Sequence, residues 1–143
     1  MNKIIVIFLV FAVSFTAGAS IAQSRKLAAE MLQQSLLEAK TMQETRPTME
    51  PGIFSRSYKA QATYQIAKEI PGVLDKIFCY CYCSINPRFK HKSLLTCYVD
   101  DHASMCGICM KETIMAKQMT DQGMTPQQIA MAIKKKYVRS AAR

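Results

Sequence analysis

The sequence predicts an all-α protein: a small domain of about four helices around a cysteine-rich CxCxC/CxxC centre, preceded by a signal peptide. Three observations lead there. Ala, Met, Gln, Lys and Leu are abundant, tryptophan is absent and there are five glycines, a mixture that favours helices. Apolar residues recur at steps of three and four in several segments, and no segment alternates long enough to make more than a very short strand. All six cysteines and both histidines fall between Cys79 and Cys109, so one region carries the chemistry.

The chain opens with a short positive stretch, Met1-Asn2-Lys3, then an apolar run from Ile4 to about Ala17. Small residues come next, Ser20-Ile21-Ala22 before Gln23 or Ala17-Gly18-Ala19 before Ser20. This is the pattern of a secretory signal peptide, and the apolar run is short of the roughly 20 residues a membrane span needs. The expectation is an exported protein, periplasmic or extracellular, that loses residues 1–22 and keeps no stable membrane span after cleavage. Retention as an anchor is the alternative. No cysteine succeeds the small residues, so lipid attachment is not expected. Loss of Lys3 takes the net charge from +9 to +8. The positive charge is spread out, with local concentrations at residues 88–92 and 134–143. Spread and compartment together argue against nucleic acid as a partner. Lys134, Lys135 and Lys136 suit a helix C-terminus, and a weak affinity for anionic membrane surfaces is compatible with them.

Residues 23–57 read as an N-terminal helix and a linker. Ala28, Leu32, Leu36, Ala39 and Met42 form a thin stripe along a helix over 24–44, and Pro47, Pro51 and Gly52 keep residues 46–57 from helix. Residues 58–143 read as the cysteine-rich helical domain. Its first helix runs from about Tyr58 to Ile70, with Ala60, Tyr64, Ala67 and Ile70 inward. Pro71 ends that helix because it lacks a donor, and opens a further turn with Leu74, Ile77 and Phe78 inward. Residues 84–92 are loop-like around Asn86-Pro87. Ser93 caps a short helical segment through Leu94, Leu95 and Cys97. Asp100 and Asp101 precede the CxxC, where a carboxylate accepts from free N–H groups at a helix start. The CxxC helix is expected to reach about Gln122 and stop at Gly123, with Ile108, Met115 and Met119 on one face. In the last helix Thr125 is the cap, Pro126 the first helical residue and Gln128 the return partner of a capping box. Ile129, Ala132, Ile133 and Tyr137 form its inward stripe.

The cysteines admit three chemistries. Thiolates at close spacing bind soft or borderline ions such as zinc and copper(I). The expected metal ligands are Cys79, Cys81, Cys83, Cys97, Cys106 and Cys109, with His91 and His102 able to replace or supplement a thiolate. His91 lies in a basic run and His102 just before the CxxC helix, so each also has an ordinary surface reading. Met105, Met110, Met115 and Met119 offer thioethers to copper(I), but at helical spacing methionine is usually core filler. The second chemistry is disulfides, which an exported chain with an even cysteine count would form and which would make it a disulfide-stapled structural or interaction module; six cysteines allow 15 connectivities. In extended form CxCxC puts its thiols on one face and Tyr80 and Tyr82 on the other. The three thiols would then need Cys97, Cys106 and Cys109 as partners. A CxC that bends would instead supply two ligands to a metal. The third chemistry is thiol–disulfide redox at Cys106 and Cys109, a pair at a helix N-terminus that favours thiolate, although the usual βαβ context is missing.

From Ile70 to Tyr137 the chain resembles a family of small exported bacterial proteins named for a PCYCGC motif. The resemblance runs through Phe78-Cys79-Tyr80-Cys81-Tyr82-Cys83, the stretch Phe89 to Val99, Asp101-His102-Ala103, Cys106-x-x-Cys109 and Gly123-Met124-Thr125. Phe78 stands where the family has proline, and Tyr82 where it has glycine. The lipid-bearing cysteine of many members is absent, so their anchoring is not implied. The resemblance implies a site and a compartment, not a reaction. Cys106 to Tyr137 alone is similar to the thiol-reducing subunit of cytochrome c maturation, which carries the redox alternative. The leading expectation is a non-enzymatic metal-binding protein whose partner is a metal ion; no protein partner is indicated.

Overall fold

The computed structural model describes residues 43–141, together with Gln23, Lys26, Glu30, Gln33 and Thr41. The chain divides into two units, Met1–Gln34 and Ser35–Arg143. In the first unit, Gln23, Lys26, Glu30 and Gln33 are helical and exposed. Thr41, in the second unit, is helical too, and the backbone has left the helix at Gln43, just before the expected end at Glu44. The expected stripe from Ala28 to Met42 and the expected signal segment 1–22 lie outside the described residues.

Among the described residues the second unit is helical, without strands. A 3-10 turn over Pro51–Phe54 leads into α1 (Tyr58–Glu69) and α2 (Pro71–Leu74). A second 3-10 turn, Leu95–Tyr98, precedes α3 (His102–Met105), α4 (Gly107–Asp121) and α5 (Pro126–Ala141). No helix among the described residues is long and apolar enough to cross a membrane.

Each boundary has a local cause. Ser57 caps α1 by accepting from the Ala60 N–H at 3.3 Å, and Ala60, Tyr64 and Ala67 are fully buried along one face, as their spacing predicts. Ile70 is half-buried and leaves the helical region just before Pro71, where a following proline disfavours the helical conformation. α4 ends where Gly123 takes φ +80, and Met124 N–H donates back to Met119 O at 3.1 Å, the closure that a left-handed glycine makes possible. The capping box of α5 forms in both directions. Thr125 N–H donates to Gln128 Oε1 at 2.8 Å, and Gln128 N–H to Thr125 Oγ1 at 3.3 Å.

The core gathers Tyr64, Leu74, Ile77, Leu94, Tyr98, Ile129 and Ile133, all fully buried. Each such aliphatic side chain contributes about 1.5–3 kcal/mol of burial free energy. Phe54 stacks on Tyr64 with centroids 4.0 Å apart, and Tyr64 meets Tyr98 edge-on at 4.8 Å. In α5, Ile129 and Ile133 are buried as expected while Ala132 and Tyr137 are half-buried.

The inward face of α4 differs from the expected one. Ile108 is exposed and Met115 and Met119 are half-buried; Cys109, Met110, Glu112, Thr113 and Ala116 are the buried residues. Cys109 points into the cysteine cluster, and at 3.6 residues per turn that choice turns 112, 113 and 116 inward with it. Ile108, Ile114 and Met115 instead line a surface hollow beside Tyr137.

Candidate metal centre

Two stretches of chain bring the thiols to one place. α2 carries the chain to Ile77, and Leu94 N–H donates to Ile77 O at 2.7 Å, which holds the two ends of the intervening loop together. The loop begins with a turn in which Tyr82 N–H reaches Cys79 O at 3.2 Å and Tyr82 takes φ 61. CxCxC is therefore curled, not extended, and the sulfurs of Cys79, Cys81 and Cys83 all lie within 4.8 Å of one another. On the other side of the loop, Ser93 Oγ accepts from Thr96 N–H at 3.3 Å and donates to Asp75 Oδ1 at 2.9 Å. The Ser93 hydroxyl thus steadies the start of the turn that buries Cys97. The Glu44 N–H adds a 3.0 Å bond to Asp75 Oδ2, so Asp75 braces the segment that carries Cys97.

Cys106 is the N-cap residue of the 15-residue helix α4, in an extended conformation between α3 and α4, and Cys109 lies in the first turn of α4. His102 opens α3, its backbone N–H bonded to Asp100 Oδ1 at 3.0 Å. The second oxygen of Asp100 lies 2.9 Å from His91 Nε2. His91 Nδ1 is buried and has no hydrogen-bond partner. A carboxylate on one ring nitrogen with the other nitrogen left free is how a ligating imidazole is oriented. The His91 and His102 rings meet edge-on at 4.9 Å, and Phe89 lies against His102 at 4.5 Å.

All eight expected ligands converge. Cys81, His102, Cys106 and Cys109 place one ligand atom each within 4.8 Å of one another, and so do Cys83, His91, Cys97 and His102; Cys79, Cys97 and Cys109 form a further such group. Sulfur–sulfur distances are 3.3 Å for Cys79–Cys81, Cys79–Cys109 and Cys83–Cys97, and 3.7 Å for Cys81–Cys109. His102 Nε2 is 3.6 Å from Cys81 Sγ. All six cysteines are free thiols. Met105 is exposed and Met110 buried.

The thiols divide the protons unequally. Cys81 receives the Cys109 and Cys79 S–H groups, and these hydrogen bonds hold its pKa far below the ordinary thiol range. Cys79 is pushed up by burial and by its bonds to Cys109 and Cys81. Cys83 is raised chiefly by Cys79 and Cys81, and Cys97 chiefly by Cys109 and Cys79. Among these thiols the S–H donors around Cys81 therefore favour its thiolate form over that of its neighbours. Burial opposes the charged form of His91, but the Cys83 thiol and the Asp100 carboxylate outweigh it and leave the pKa raised. A ligating ion must displace these protons.

Two residues of the site carried no motif in the sequence. Asp100 was expected to accept at a helix start, which it does, but not to hold His91. Glu112 is fully buried; Oε1 accepts the Tyr80 N–H at 2.9 Å, and Oε2 has no partner. Burial pushes its pKa up to about 8, so it is neutral at pH 7. Its position three residues after Cys109, on the same helix face, is the signal that could have found it. Tyr80 is buried and stacks flat on Tyr137 at 5.3 Å, covering this side, whereas Tyr82 is exposed.

A family model described as a protein of unknown function with PCYCGC motif matches residues 5–143. No curated protein matches the chain. No solved structure matches it either.

Proposed function

The chain belongs to the family of proteins of unknown function with a PCYCGC motif, and we propose that it is an exported protein that binds a soft or borderline transition metal, zinc or copper(I), for metal handling or storage. The observation that carries this reading is the convergence of thiol and imidazole ligand atoms within 4.8 Å in sets of four, with His91 Nδ1 buried and unpartnered and Nε2 held by Asp100. Four sulfur and nitrogen donors at such separations suit tetrahedral zinc, and thiolates suit copper(I). The neighbouring carboxylates fit a supporting role better than a ligating one: Asp100 orients an imidazole and Glu112 is neutral at pH 7. Export rests on the signal-like segment at residues 1–22. The test is to purify the protein from an oxidising compartment and measure bound metal and free thiols on the same sample. Tightly bound zinc or copper with several free thiols supports the proposal; six oxidised cysteines without metal would sink it.

One observation favours a second reading, thiol–disulfide chemistry. Cys79 and Cys109 stand 3.3 Å apart, as do Cys83 and Cys97. Loss of two electrons and two protons to an external disulfide would join either pair, so the partner of Cys109 need not be Cys106. This reading predicts a labile, reducible bond and activity lost in Cys109→Ser.

A further inference from the structure

We infer that the eight side chains form two adjacent metal sites, each of three thiolates and one imidazole: Cys81, Cys106, Cys109 and His102 in one, Cys79, Cys83, Cys97 and His91 in the other. The inference rests on the metal-binding reading and deepens it. A zinc-type ion closes its shell with four donors, so eight convergent donors exceed what one ion takes. The first set is mutually within 4.8 Å as it stands. Of the four remaining residues, Cys83, Cys97 and His91 belong to one group, and Cys79 is grouped with Cys97 and, separately, with Cys83.

His102 and Cys79 lie between the two sets: burial places His102 with the half-buried Cys81 and Cys106, and Cys79 completes the second set because the first already has four donors. Cys79, Cys83, Cys97 and His91 are all at most 5% exposed. Cys81, His102 and Cys106 are all half-buried, Cys109 is the buried member of their set, and His102 Nε2 lies 3.6 Å from Cys81 Sγ. The result is a closed site and an open one that share a wall, because Cys79 stands 3.3 Å from both Cys81 and Cys109. Asp100 spans the two, with one oxygen on the His102 backbone N–H and the other on the His91 ring. Each site carries thiolates enough to favour zinc, cobalt(II) or copper(I) over hard cations such as magnesium.

The experiment is a titration of the reduced full chain with cobalt(II) in the absence of oxygen, followed by native mass spectrometry of the zinc-loaded protein. Two ions per chain are expected. Cys106→Ser and His102→Ala should each reduce two ions to one and leave the same ion, the closed one. Cys97→Ser should remove the other. The unmodified chain already reads the stoichiometry, so a variant that fails to fold does not spoil the test. One ion per chain overturns the two-site inference and leaves the metal-binding reading standing; no ion overturns both. Two ions with His102→Ala losing the closed one instead would overturn the division of ligands.

Discussion

The two halves of the cysteine cluster use similar ligands in different surroundings. Around Cys79, Cys83, Cys97 and His91 the protein excludes water, and each thiol is pushed toward its protonated form. Around Cys81, His102 and Cys106 water reaches the donors, and hydrogen bonds from Cys109 and Cys79 lower the Cys81 pKa, while Cys109 itself is buried and its pKa raised. The difference teaches that burial, more than side-chain type, sets the two halves of the cluster apart. In the closed half the uncharged thiols tolerate burial, and an ion must expel several protons to bind; once bound, it is shielded. In the open half the Cys81 thiolate is favoured by the thiols that donate to it.

The largest expected effect breaks the comparison outright. Cys97→Ser should lose the closed-half ion and lower the unfolding free energy of the metal-loaded protein by several kcal/mol, since structural metal sites contribute folding energy directly. Cys106→Ser should cost clearly less. Denaturant unfolding of both zinc-loaded variants checks this; equal losses would mean the halves are equivalent.

Next comes Glu112, one turn after Cys109 on the same helix. Its folded pKa of about 8 exceeds the unfolded value of 4.5, so stability is fully present below pH 4.5 and is lost as pH rises to about 8. Above that the loss is constant. Glu112→Gln keeps an oxygen for the Tyr80 N–H and removes the charge. The variant should gain about 2–4 kcal/mol at pH 9 and nothing near pH 4, measured by urea unfolding of the reduced, metal-free protein. A gain independent of pH would contradict the assignment.

Asp100 sharpens the comparison from the ligand side. In Asp100→Asn the amide can turn its oxygen toward the His102 N–H, but its nitrogen then faces His91 Nε2. The imidazole would move its proton to Nδ1 and lose its free lone pair. Affinity in the closed half should fall about 10–100-fold while the open half is nearly unchanged, as read by competition with a metal chelator.

The smallest effect concerns the turn that curls CxCxC. Tyr82 stands at φ 61, where a side chain is strained and glycine is not, and glycine is what the motif resemblance places there. Tyr82→Gly should stabilise the metal-free protein by up to about 1 kcal/mol, seen as a small rise in thermal midpoint. The loss of the Phe78–Tyr82 edge contact, at 6.1 Å, works against the gain. A large loss would show that the ring matters more than the strain.

Much of the scaffold was legible because its causes are local. The Thr125/Gln128 box, the Gly123 stop, the Pro71 break and the stripe Ala60–Tyr64–Ala67 each depend on residues within a turn or two, and each stands in the structure. The face of α4 was misread because Ile108, Met115 and Met119 satisfy a helical spacing as well as Cys109, Glu112 and Ala116 do. Hydrophobicity favoured the first set, and the pull of the thiol cluster selected the second. Glu112 escaped because a lone glutamate in a helix is ordinarily solvated, and nothing nearby in sequence says that Tyr80 covers it.

By itself, then, the sequence determined the helical class and the main helix boundaries, since helix caps, breaks and spacing act over a few residues, and it named eight candidate donors. The tertiary structure decided which of those side chains meet. Cys81 and Cys83 are two residues apart, yet the turn at Tyr82 sends one toward α4 and the other toward Cys97. His91 and His102 acquire different surroundings from one shared aspartate. Such assignments depend on burial and on distances between segments far apart in the chain, and spacing along the chain does not encode them.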